Sequence, residues 1–366
     1  MDYNSKRIRA EHGAIYSRGN DTLFGYFAWP SVCRISEHGL FAAASGFRTG
    51  HVDPFGKSVC FTSEDDGLSW SDPLIVNASP ADDRDTGLVS LGGGRVLMTW
   101  FSSDFRQIYA DKSKVDRVTR RYRMDFSPVL STWDDEAIKQ NVGFFSRIRE
   151  SSGEWGSRRY TPVSAPHGPI KLANGTLFYL GNVGKLTTGE SGNILRNGQI
   201  AAAVSDDEGA SWRIAGTVPD PADGKFCEPH VLELLSGELL GVLRHEPDFS
   251  MYTTRSVDGG ATWSVPAFLT LGAPPSLLLH SSGVVVLSYG WRREKNFGQR
   301  LAFSTDGGHS WSGDWILRDD GPDPDLGYPS SVELADGSIC TVYYQKAEAG
   351  ALNCSLLTSR WRLPSL

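Results

Sequence analysis

The sequence predicts an all-β protein, a six-bladed β-propeller with four-stranded antiparallel blades. Three observations predict this fold: a turn motif that occurs four times, an apolar hairpin pattern that occurs six times, and the alternation of the two. The 366 residues include 40 glycines, 11 tryptophans and 12 tyrosines, which is typical of β-structure with many tight turns. Internal repeats of this kind indicate a fold built from copies of one small unit.

The turn motif is the Asp box, defined here as S-x-D-x-G-x-S/T-W. Its four copies occupy residues 63–70, 205–212, 256–263 and 304–311. The aspartate can accept hydrogen bonds from nearby backbone N–H groups, and the glycine adopts a conformation that other residues resist. We therefore predict that the four box aspartates stabilise turns on the outer rim and have no catalytic role. They are Asp65, Asp207, Asp258 and Asp306.

The hairpin pattern consists of two apolar runs separated by a glycine-containing turn, as expected of a β-hairpin. Its six copies turn at Gly39, Gly93, Gly175, Gly237, Gly283 and Gly337. An Asp box follows the hairpin in blades one, three, four and five, so that two consecutive hairpins form one four-stranded sheet. Six such sheets cannot each bury a core alone, and radial packing in a ring solves this problem.

Two blades depart from the pattern. Blade two contains an insertion at residues 102–140 and only a box-like remnant at residues 146–155, and blade six lacks a box near its end. We expect a strand at residues 14–17 to close the ring by completing blade six. We interpret residues 1–366 as a single propeller domain, in which the insertion forms a wall over the site or a subunit contact.

Charge and hydropathy exclude several classes of partner. The net charge is −7 and no basic block is long enough to follow a phosphate backbone, so no nucleic-acid partner is expected. No run approaches the ~18 apolar residues that span a bilayer, so no membrane partner is expected. The N-terminus lacks the apolar stretch of a signal peptide, which predicts a cytoplasmic protein. A secreted form whose leader was removed stays open, and the oligomeric state is unknown.

No cofactor or metal site is predicted, because the sequence has no metal-ligand spacing, although calcium on loop aspartates stays open. The five cysteines are odd in number and widely separated, and we interpret them as buried thiols rather than as a disulfide frame. They are Cys33, Cys60, Cys227, Cys340 and Cys354.

The candidate site lies where the loops entering the inner strands converge on one end of the central channel. Residues just before the six hairpins include Arg84, Asp85, His167, Glu228, His230 and Tyr328. Loops and strand ends on the same side add Arg48, His51 and Asp53 in blade one, Arg244 in blade four, and Arg292 and Arg300 in blade five. Guanidinium groups bind carboxylates in two-point geometry, so this set predicts a site for an anionic sugar. The alternative is a structural network that fills the channel.

The Asp boxes, the six hairpins and three local motifs resemble the sialidase (neuraminidase) superfamily of BNR/Asp-box propellers over nearly the whole chain. The stretch CEPHVLELLSGELLGVLR resembles the sialidase segment in which a Glu precedes an Arg, which implies Glu228 as the base and Arg244 as a carboxylate ligand. The stretch GYPSSVELADG places Tyr328 as the implied nucleophile. The resemblance further implies Asp53 as acid/base and Arg300, or alternatively Arg292, as another carboxylate ligand.

One departure concerns the substrate. Sialidases begin blade one with an Arg in an aromatic-Arg-Ile-Pro motif, whereas this chain has Phe27-Ala28-Trp29-Pro30. Ala28 therefore stands where the first arginine of the sialidase triad is expected, and Arg84 or Arg48 is a possible substitute. His51, His167 and His230 are further additions that an ordinary sialidase is not expected to have.

The resemblance implies a retaining exo-glycosidase that cleaves a terminal acidic sugar, sialic acid or a related one, from a glycan. Tyr328 would attack the anomeric carbon, Glu228 would take its proton, and Asp53 would protonate the leaving group. One alternative is a propeller glycosidase or polysaccharide lyase that acts on uronate- or rhamnose-containing glycans with His or Tyr chemistry. A second alternative is a propeller that binds glycans without cleaving them.

Overall fold

The computed structural model describes residues 6–20, 22–106, 125–184, 198–221, 225–293 and 296–366. Its strands form six small sheets of four or five strands, in which the hairpin-connected strands are antiparallel. Strands of each sheet contact strands of both neighbouring sheets, so that the sheets close into a ring. The structure confirms the predicted six-bladed β-propeller.

The strands follow the predicted order along the chain. Two N-terminal strands, β1 (Lys6–Arg7) and β2 (Ala10–Tyr16), precede blade one, which consists of β3 (Tyr26–Arg34), β4 (Leu40–Arg48), β5 (Lys57–Ser63) and β6 (Leu74–Asn77). Blade two consists of β7 (Asp82–Gly92), β8 (Arg95–Ser103), β9 (Gly143–Arg149) and β10 (Arg159–Tyr160). Blade three has a divided inner strand, β11 (Val163–Ser164) and β12 (Ile170–Lys171), followed by β13 (Leu177–Val183), β14 (Ile200–Ser205) and β15 (Arg213–Thr217).

The remaining three blades come from the second half of the chain. Blade four consists of β16 (Phe226–Glu233), β17 (Leu239–His245), β18 (Ser250–Ser256) and β19 (Ala267–Leu271). Blade five consists of β20 (Pro275–Leu279), β21 (Val285–Trp291), β22 (Phe297–Ser304) and β23 (Ser312–Gly321), and β1 pairs in parallel with β23. Blade six contains β24 (Gly327–Glu333), β25 (Ile339–Lys346) and β26 (Cys354–Trp361).

The N-terminal strand β2 completes blade six. It pairs antiparallel with β26 from Ala10 opposite Trp361 to Tyr16 opposite Leu356, which confirms the expected closing strand at residues 14–17. Because this fourth strand comes from the N-terminus, the chain makes no turn from a third to a fourth strand in blade six. This connectivity explains why the sequence has no Asp box there.

Apolar clusters between neighbouring blades hold the ring together. Phe41 of blade one packs in a cluster with Met98 of blade two, and Phe178 of blade three in a cluster with Val231 of blade four. Further clusters join the other neighbouring pairs, including blades six and one. Burying one such side chain contributes about 1.5–3 kcal/mol, so each blade depends on both neighbours for its core.

Each Asp box forms the turn between the third and fourth strands of its blade. In the box at residues 205–212, Ser211 donates to Asp207 from its backbone N at 2.8 Å and from its hydroxyl at 2.6 Å. Ser205 donates to the same carboxylate and accepts from the Gly209 N, both at 2.8 Å. The other three boxes repeat these bonds. The box aspartates thus have the predicted turn-stabilising contacts.

The box glycine also brings neighbouring blades together. Gly260 has φ +90°, and a Cβ there would lie 2.6 Å from the ring of Phe178 in blade three. The box of blade four can therefore rest on the blade before it only because this residue has no side chain.

The Asp box predicts an acid-dependent loss of stability. Hydrogen bonds from Ser211, first from its hydroxyl and then from its backbone, lower the pKa of Asp207 to about 2. An aspartate in the unfolded chain has a pKa near 3.9, so the ionised box stabilises the fold above about pH 4 and this contribution disappears as the pH falls to about 2. We expect Asp207→Asn to lower Tm at pH 7 by roughly 1–3 °C, with a difference that shrinks toward pH 2 in thermal unfolding.

A neighbouring aspartate provides the control for this experiment. Asp206 lies outside the box bonds and accepts from Thr176 at 2.7 Å, so Asp206→Asn removes the same charge and leaves the box intact. A Tm difference for Asp207→Asn that stays constant from pH 7 to pH 2 would contradict the assignment.

The described part of the insertion packs against blade one. Helices α1 (Ser127–Leu130) and α2 (Asp135–Lys139) follow β8, and residues 107–124 lie outside the described residues. Phe126, Leu130 and Trp133 form a cluster with Phe24 and Phe55 from loops at the site end of blade one. The insertion therefore supports the loop that contains Phe55.

The five cysteines have free thiols. Four of them are buried, as the sequence predicted, whereas Cys227 is only half-buried. Among the residues that the structure describes, no helix is long and apolar enough to cross a membrane. The same residues contain no cluster of three or more His, Cys, Asp or Glu side chains suited to a metal ion.

Candidate active site at the centre of the ring

Four inner strands carry a β-bulge at the same end of the ring. In blade one, Ala28 pairs with Ser45 and the next pair is Ser31 with Ala43, so β3 has one extra residue. The same shift occurs between Arg84 and Gly87, between Cys227 and His230, and between Gly327 and Ser330. Bulges change the direction of a side chain and occur next to active sites.

The bulges place non-glycine residues in the left-handed region of backbone conformation. The values of φ are +55° at Trp29, +50° at Asp85, +47° at Glu228 and +51° at Tyr328. His167, in the break between β11 and β12, has φ +71°. Each such residue costs of order 1 kcal/mol or more, and such strain concentrates at functional sites. Five blades thus present one strained residue each to the same region.

Tyr328 and Glu228 meet across the axis from blades six and four. The Tyr328 hydroxyl donates a short hydrogen bond to Glu228 Oε1. Arg244 donates to Glu228 Oε2 at 2.5 Å, and its second nitrogen lies 2.7 Å from Glu246. Tyr328 is 5% exposed, and burial, followed by the charge of Glu228, raises its pKa well above the usual value near 10. The phenol is therefore neutral, with its proton already directed at a carboxylate.

Two arginines complete the wall around this pair. Arg292 donates to the Leu326 carbonyl at 2.8 Å, and its guanidinium lies 5.4 Å from the centre of the Tyr328 ring. Burial acts to lower the pKa of Arg292, but the neighbouring Tyr344, Tyr328 and Glu228 raise it overall. The Arg84 guanidinium stacks 4.2 Å from the Trp29 ring, which itself lies 6.3 Å from the ring of Tyr328.

Asp85, His167 and His230 add further buried groups to the site. Burial, opposed by Arg84 and assisted by Glu228, raises the pKa of Asp85 to about 7. The His167 ring lies 5.6 Å from His230 and 6.5 Å from Tyr328. Burial lowers the pKa of His230 to about 4 and that of His167 well below 6.5. Both imidazoles are therefore neutral near pH 7.

Several buried polar atoms in this region have no hydrogen-bond partner within the described part of the chain. They are Trp29 Nε1, Arg84 Nε, Asp85 Oδ1, Thr86 Oγ1, His167 Nε2, Arg244 Nε and Arg292 Nη2. Buried polar groups are nearly always paired, so these seven unpaired atoms need an explanation. A polar ligand that occupies the centre of the ring provides one.

Asp53 and Arg48 are held by partners inside the protein, although the Arg48 guanidinium also lies 4.8 Å from the centre of the Trp29 ring. Asp53 is 0% exposed, and its carboxylate accepts from the Thr49 N and the Phe55 N, each at 2.5 Å, and from the Thr49 hydroxyl. Arg48 is also 0% exposed and pairs with both oxygens of Asp82. These bonds close the loop after β4. The roles of Asp53 as acid/base and Arg48 as a substrate ligand stay predictions, and the internal partners of both side chains argue against them.

Arg300 is also not available to a substrate. Its guanidinium donates to the carbonyls of Gln299, Arg318 and Asn296 at 3.0–3.3 Å, within blade five. Of the two alternatives that the sequence left open, Arg292 is the one that contacts Tyr328. The preference for Arg300 stays a prediction, and the carbonyls of its own blade that surround this side chain argue against it.

Two residues of the site were not among the site residues predicted from the sequence. Trp29 stacks with Arg84 and contacts His51 at 5.0 Å between ring centres, while Ala28 beside it is completely buried. Asp325 accepts from Tyr26 and lies 3.0 Å from His51 Nδ1. The signal for Trp29 was the dipeptide Trp29-Pro30, which matches the bulge residues Glu228-Pro229 and Tyr328-Pro329. No comparable pattern marks Asp325.

A groove of about 780 Å³ lies elsewhere, at the end of blade six that carries the Gly337 turn. Two of its arginines already have partners, because Arg7 pairs with Asp319 and Arg362 with Asp336. We therefore assign the functional site to the central cluster, where five blades present strained residues to one region.

The comparisons with known proteins agree with this architecture. The family described as BNR repeat-like domain matches residues 144–341, more than half of the chain. The chain belongs to this family. No curated protein sequence matches it.

Solved structures share the fold at low sequence identity. A protein of unknown function from Dyadobacter fermentans is 20% identical with TM-score 0.76, covering 98% of this chain and 99% of that one. The intramolecular trans-sialidase of Ruminococcus gnavus is 15% identical with TM-score 0.65, covering 96% and 97%. The α-L-arabinanase of Penicillium chrysogenum is 13% identical with TM-score 0.59, covering 97% and 98%. The last two relatives are glycoside hydrolases, and these likenesses establish the fold of the present chain.

Proposed function

We propose that the protein is a retaining exo-glycoside hydrolase that removes a terminal anionic sugar, sialic acid or a related sugar acid, from a glycan. The observation that carries this proposal is the hydrogen bond from Tyr328 to Glu228, with Arg244 on the other carboxylate oxygen. A phenol becomes nucleophilic only beside a base that takes its proton, and Glu228 is in the position of that base.

A neutral nucleophile suits an anionic sugar. If the reacting carbon bears or adjoins a carboxylate, a carboxylate nucleophile would be repelled, whereas a tyrosine is not; sialidases are known for this exception. Arg244, Arg292 and Arg84 would bind the substrate anion, since each has an unpaired buried nitrogen within the described part of the chain. Arg84, stacked on Trp29, would supply the guanidinium that Ala28 cannot.

A panel of fluorogenic aryl glycosides tests the proposal. We expect release of the fluorophore from at least one anionic glycoside (a sialoside, a glucuronide or a galacturonide) and much slower release from rhamnosides and arabinosides. Faster turnover of a neutral sugar would overturn the assignment of an anionic substrate. Glycan binding without turnover of any glycoside in the panel would overturn the proposed enzymatic activity and favour the glycan-binding alternative.

The neutral histidines support a second candidate, a uronate-directed lyase. His167 is buried with Nε2 unpaired among the described residues, and its pKa lies well below 6.5, so it can act as a base near neutral pH. A lyase would generate an unsaturated uronate from a polysaccharide, which ultraviolet absorbance detects. Formation of this chromophore without hydrolysis of any aryl glycoside would favour the lyase over the hydrolase.

Asp85 gives the proposed hydrolase a defined pH dependence. Its pKa of about 7 keeps it protonated in mild acid, where it can donate a hydrogen bond to a sugar hydroxyl. Above about pH 7 it becomes an anion beside an anionic substrate, so we expect kcat/KM to fall by about tenfold per pH unit through a rise in KM. Asp85→Asn keeps a donor and cannot ionise, so its profile above pH 7 is expected to be flat on an aryl glycoside, whose leaving group needs no proton donor.

The control for Asp85 is Asp83→Asn, since Asp83 is also buried but its carboxylate accepts from Asn77, Ser79 and Ser102. The role of Asp85 would be contradicted if Asp85→Asn retained the full decline above pH 7.

A further inference from the structure

The loop between β4 and β5 directs a histidine, rather than an aspartate, toward the site. Asp53 turns inward, where Thr49 and Phe55 occupy both of its oxygens. Arg48 donates to the carbonyls of Gly50 at 3.2 Å and His51 at 3.0 Å. The same loop leaves the His51 side chain 46% exposed. The buried charged side chains of Asp53 and Arg48 thus fix the backbone of the loop at His51.

A network of polar groups fixes the His51 ring. Its Nδ1 lies 3.0 Å from Asp325 Oδ1 and 3.1 Å from the Tyr26 hydroxyl. Asp325 also accepts from Tyr26 at 2.9 Å and from Tyr344 at 3.2 Å, and Lys346 lies 3.9 Å away. Burial acts to raise the pKa of Asp325, but the bonds from His51 and Tyr26 and the charge of Lys346 lower it to about 2. The carboxylate is therefore charged and sets Nδ1 as the protonated nitrogen facing it.

The second nitrogen of His51 faces no partner among the residues that the structure describes. Its ring stands at 86° to Trp29 with 5.0 Å between centres, and the Trp29 ring is 6.3 Å from Tyr328. The partial exposure of His51 fits a position at the entrance of the site, where a leaving group enters and departs. Asp85, in contrast, is only 7% exposed. A histidine held by a carboxylate on one nitrogen and open on the other has the arrangement of a proton donor and acceptor.

We propose that His51, positioned by Asp325, is the general acid and base of this site. The assignment rests on the proposed hydrolase function. In the first step, Tyr328 Oη bonds to the anomeric carbon and its proton passes to Glu228. The glycosidic C–O bond breaks with its electron pair on the leaving oxygen, which takes the Nε2 proton of the His51 imidazolium.

In the second step the proton flow reverses. Neutral His51 takes a proton from water as the resulting hydroxide oxygen bonds to the anomeric carbon. The bond from that carbon to Tyr328 breaks, and the phenolate recovers its proton from Glu228. His51 ends as the imidazolium, so the cycle closes without any further reactant.

The experiment compares two substrates of the same sugar acid, one with a good aryl leaving group and one with an oligosaccharide leaving group. For His51→Gln we expect kcat/KM to fall by about 10²–10³-fold on the oligosaccharide and by less than about tenfold on the aryl glycoside. His51→Ala is a second variant with the same expected pattern. His38→Gln is the matched control, because His38 also lies 3.0 Å from an aspartate, Asp66, beside an Asp box.

Asp325 has its own readout as a positioning residue. The groups facing His51 are Asp325, Tyr26, Arg84 and Arg48. Burial, followed by the charges of Arg84 and Arg48, lowers the pKa of His51, and Asp325 is the group that opposes this shift. Asp325→Asn is therefore expected to lower the pH at which kcat/KM declines as His51 loses its proton. Asp323→Asn is expected to leave this pH unchanged.

The possible outcomes separate this assignment from the proposed function. Equal losses on both substrates for His51→Gln, or no loss, overturn His51 as the acid. A leaving-group-dependent loss for Asp85→Asn instead of His51→Gln also overturns it and moves the role to Asp85. If the wild-type protein hydrolyses none of the glycosides, the proposed function fails, and this assignment fails with it.

Discussion

Replacing Tyr328 by Phe is expected to reduce kcat/KM for an anionic aryl glycoside by at least about 10³-fold. The substitution removes one oxygen, which is the atom that would bond to the anomeric carbon. Its aromatic ring keeps the contacts with Trp29 and Tyr344, so the loss is expected in kcat with a small change in KM. Steady-state kinetics on the aryl glycoside measure both.

The matched control is Tyr343→Phe. Tyr343 is also a buried tyrosine of blade six, but its hydroxyl bonds Ser359 at 2.7 Å inside the blade. We expect this variant to lose some thermal stability and to keep its activity. Unchanged turnover in Tyr328→Phe would remove Tyr328 as the nucleophile, whatever the effect of Tyr343→Phe.

The covalent step can also be observed directly. A fluorinated substrate analogue that slows hydrolysis of the intermediate should leave the sugar attached to the protein, and peptide mass spectrometry should locate it on Tyr328. An attachment at Glu228 would mean that the carboxylate, not the phenol, is the nucleophile.

The repeats made the fold predictable. Each Asp box and each glycine hairpin encodes one turn by local chemistry, so their order along the chain gives the strand order of the blades. The closing strand β2 was also predictable, because blade six had no box and therefore lacked a fourth strand. The apolar contacts between blades follow from this order rather than from any single residue.

The site residues were predictable only where the hairpin pattern also fixes their position in or beside a strand. Glu228, Arg244 and Tyr328 lie in or beside strands whose register the hairpins fix, and the structure brings them together. Asp53 and Arg48 lie in or next to a loop, and their direction depends on long-range partners. The partner of Arg48 is Asp82, 34 residues away in another blade, and no spacing in the sequence indicates this pair.

The same reasoning explains why His51 was identified as unusual but not as an acid. Its partner Asp325 is 274 residues away, and the two meet only because the ring closes blade six against blade one. The contact between His51 and Asp325 therefore depends on the closure of the ring and could not be identified from the sequence alone.

Arg292 should determine the preference for an acidic sugar. We expect Arg292→Met to reduce kcat/KM for the anionic glycoside by about 10²-fold, mainly through KM, because removing one partner of a buried charge pair costs about 2–5 kcal/mol. Met retains much of the apolar length that packs on Tyr328, so the phenol should stay in place. The measurement compares the substrate carboxylate with its uncharged methyl ester in the wild-type protein and the variant.

The neighbouring Arg293 makes this test selective. Its guanidinium donates to the Asp248 carbonyl at 2.9 Å on the exposed side of the same loop, so Arg293→Met removes an equal charge without touching the site. If the charge of the loop acted only at long range, Arg292→Met and Arg293→Met would reduce kcat/KM for the acid substrate equally, and high salt would remove the effect. If Arg292 binds the carboxylate directly, only Arg292→Met should abolish the difference between acid and ester. If Arg292→Met retained the difference between acid and ester, the substrate anion would lie against Arg244 or Arg84 instead.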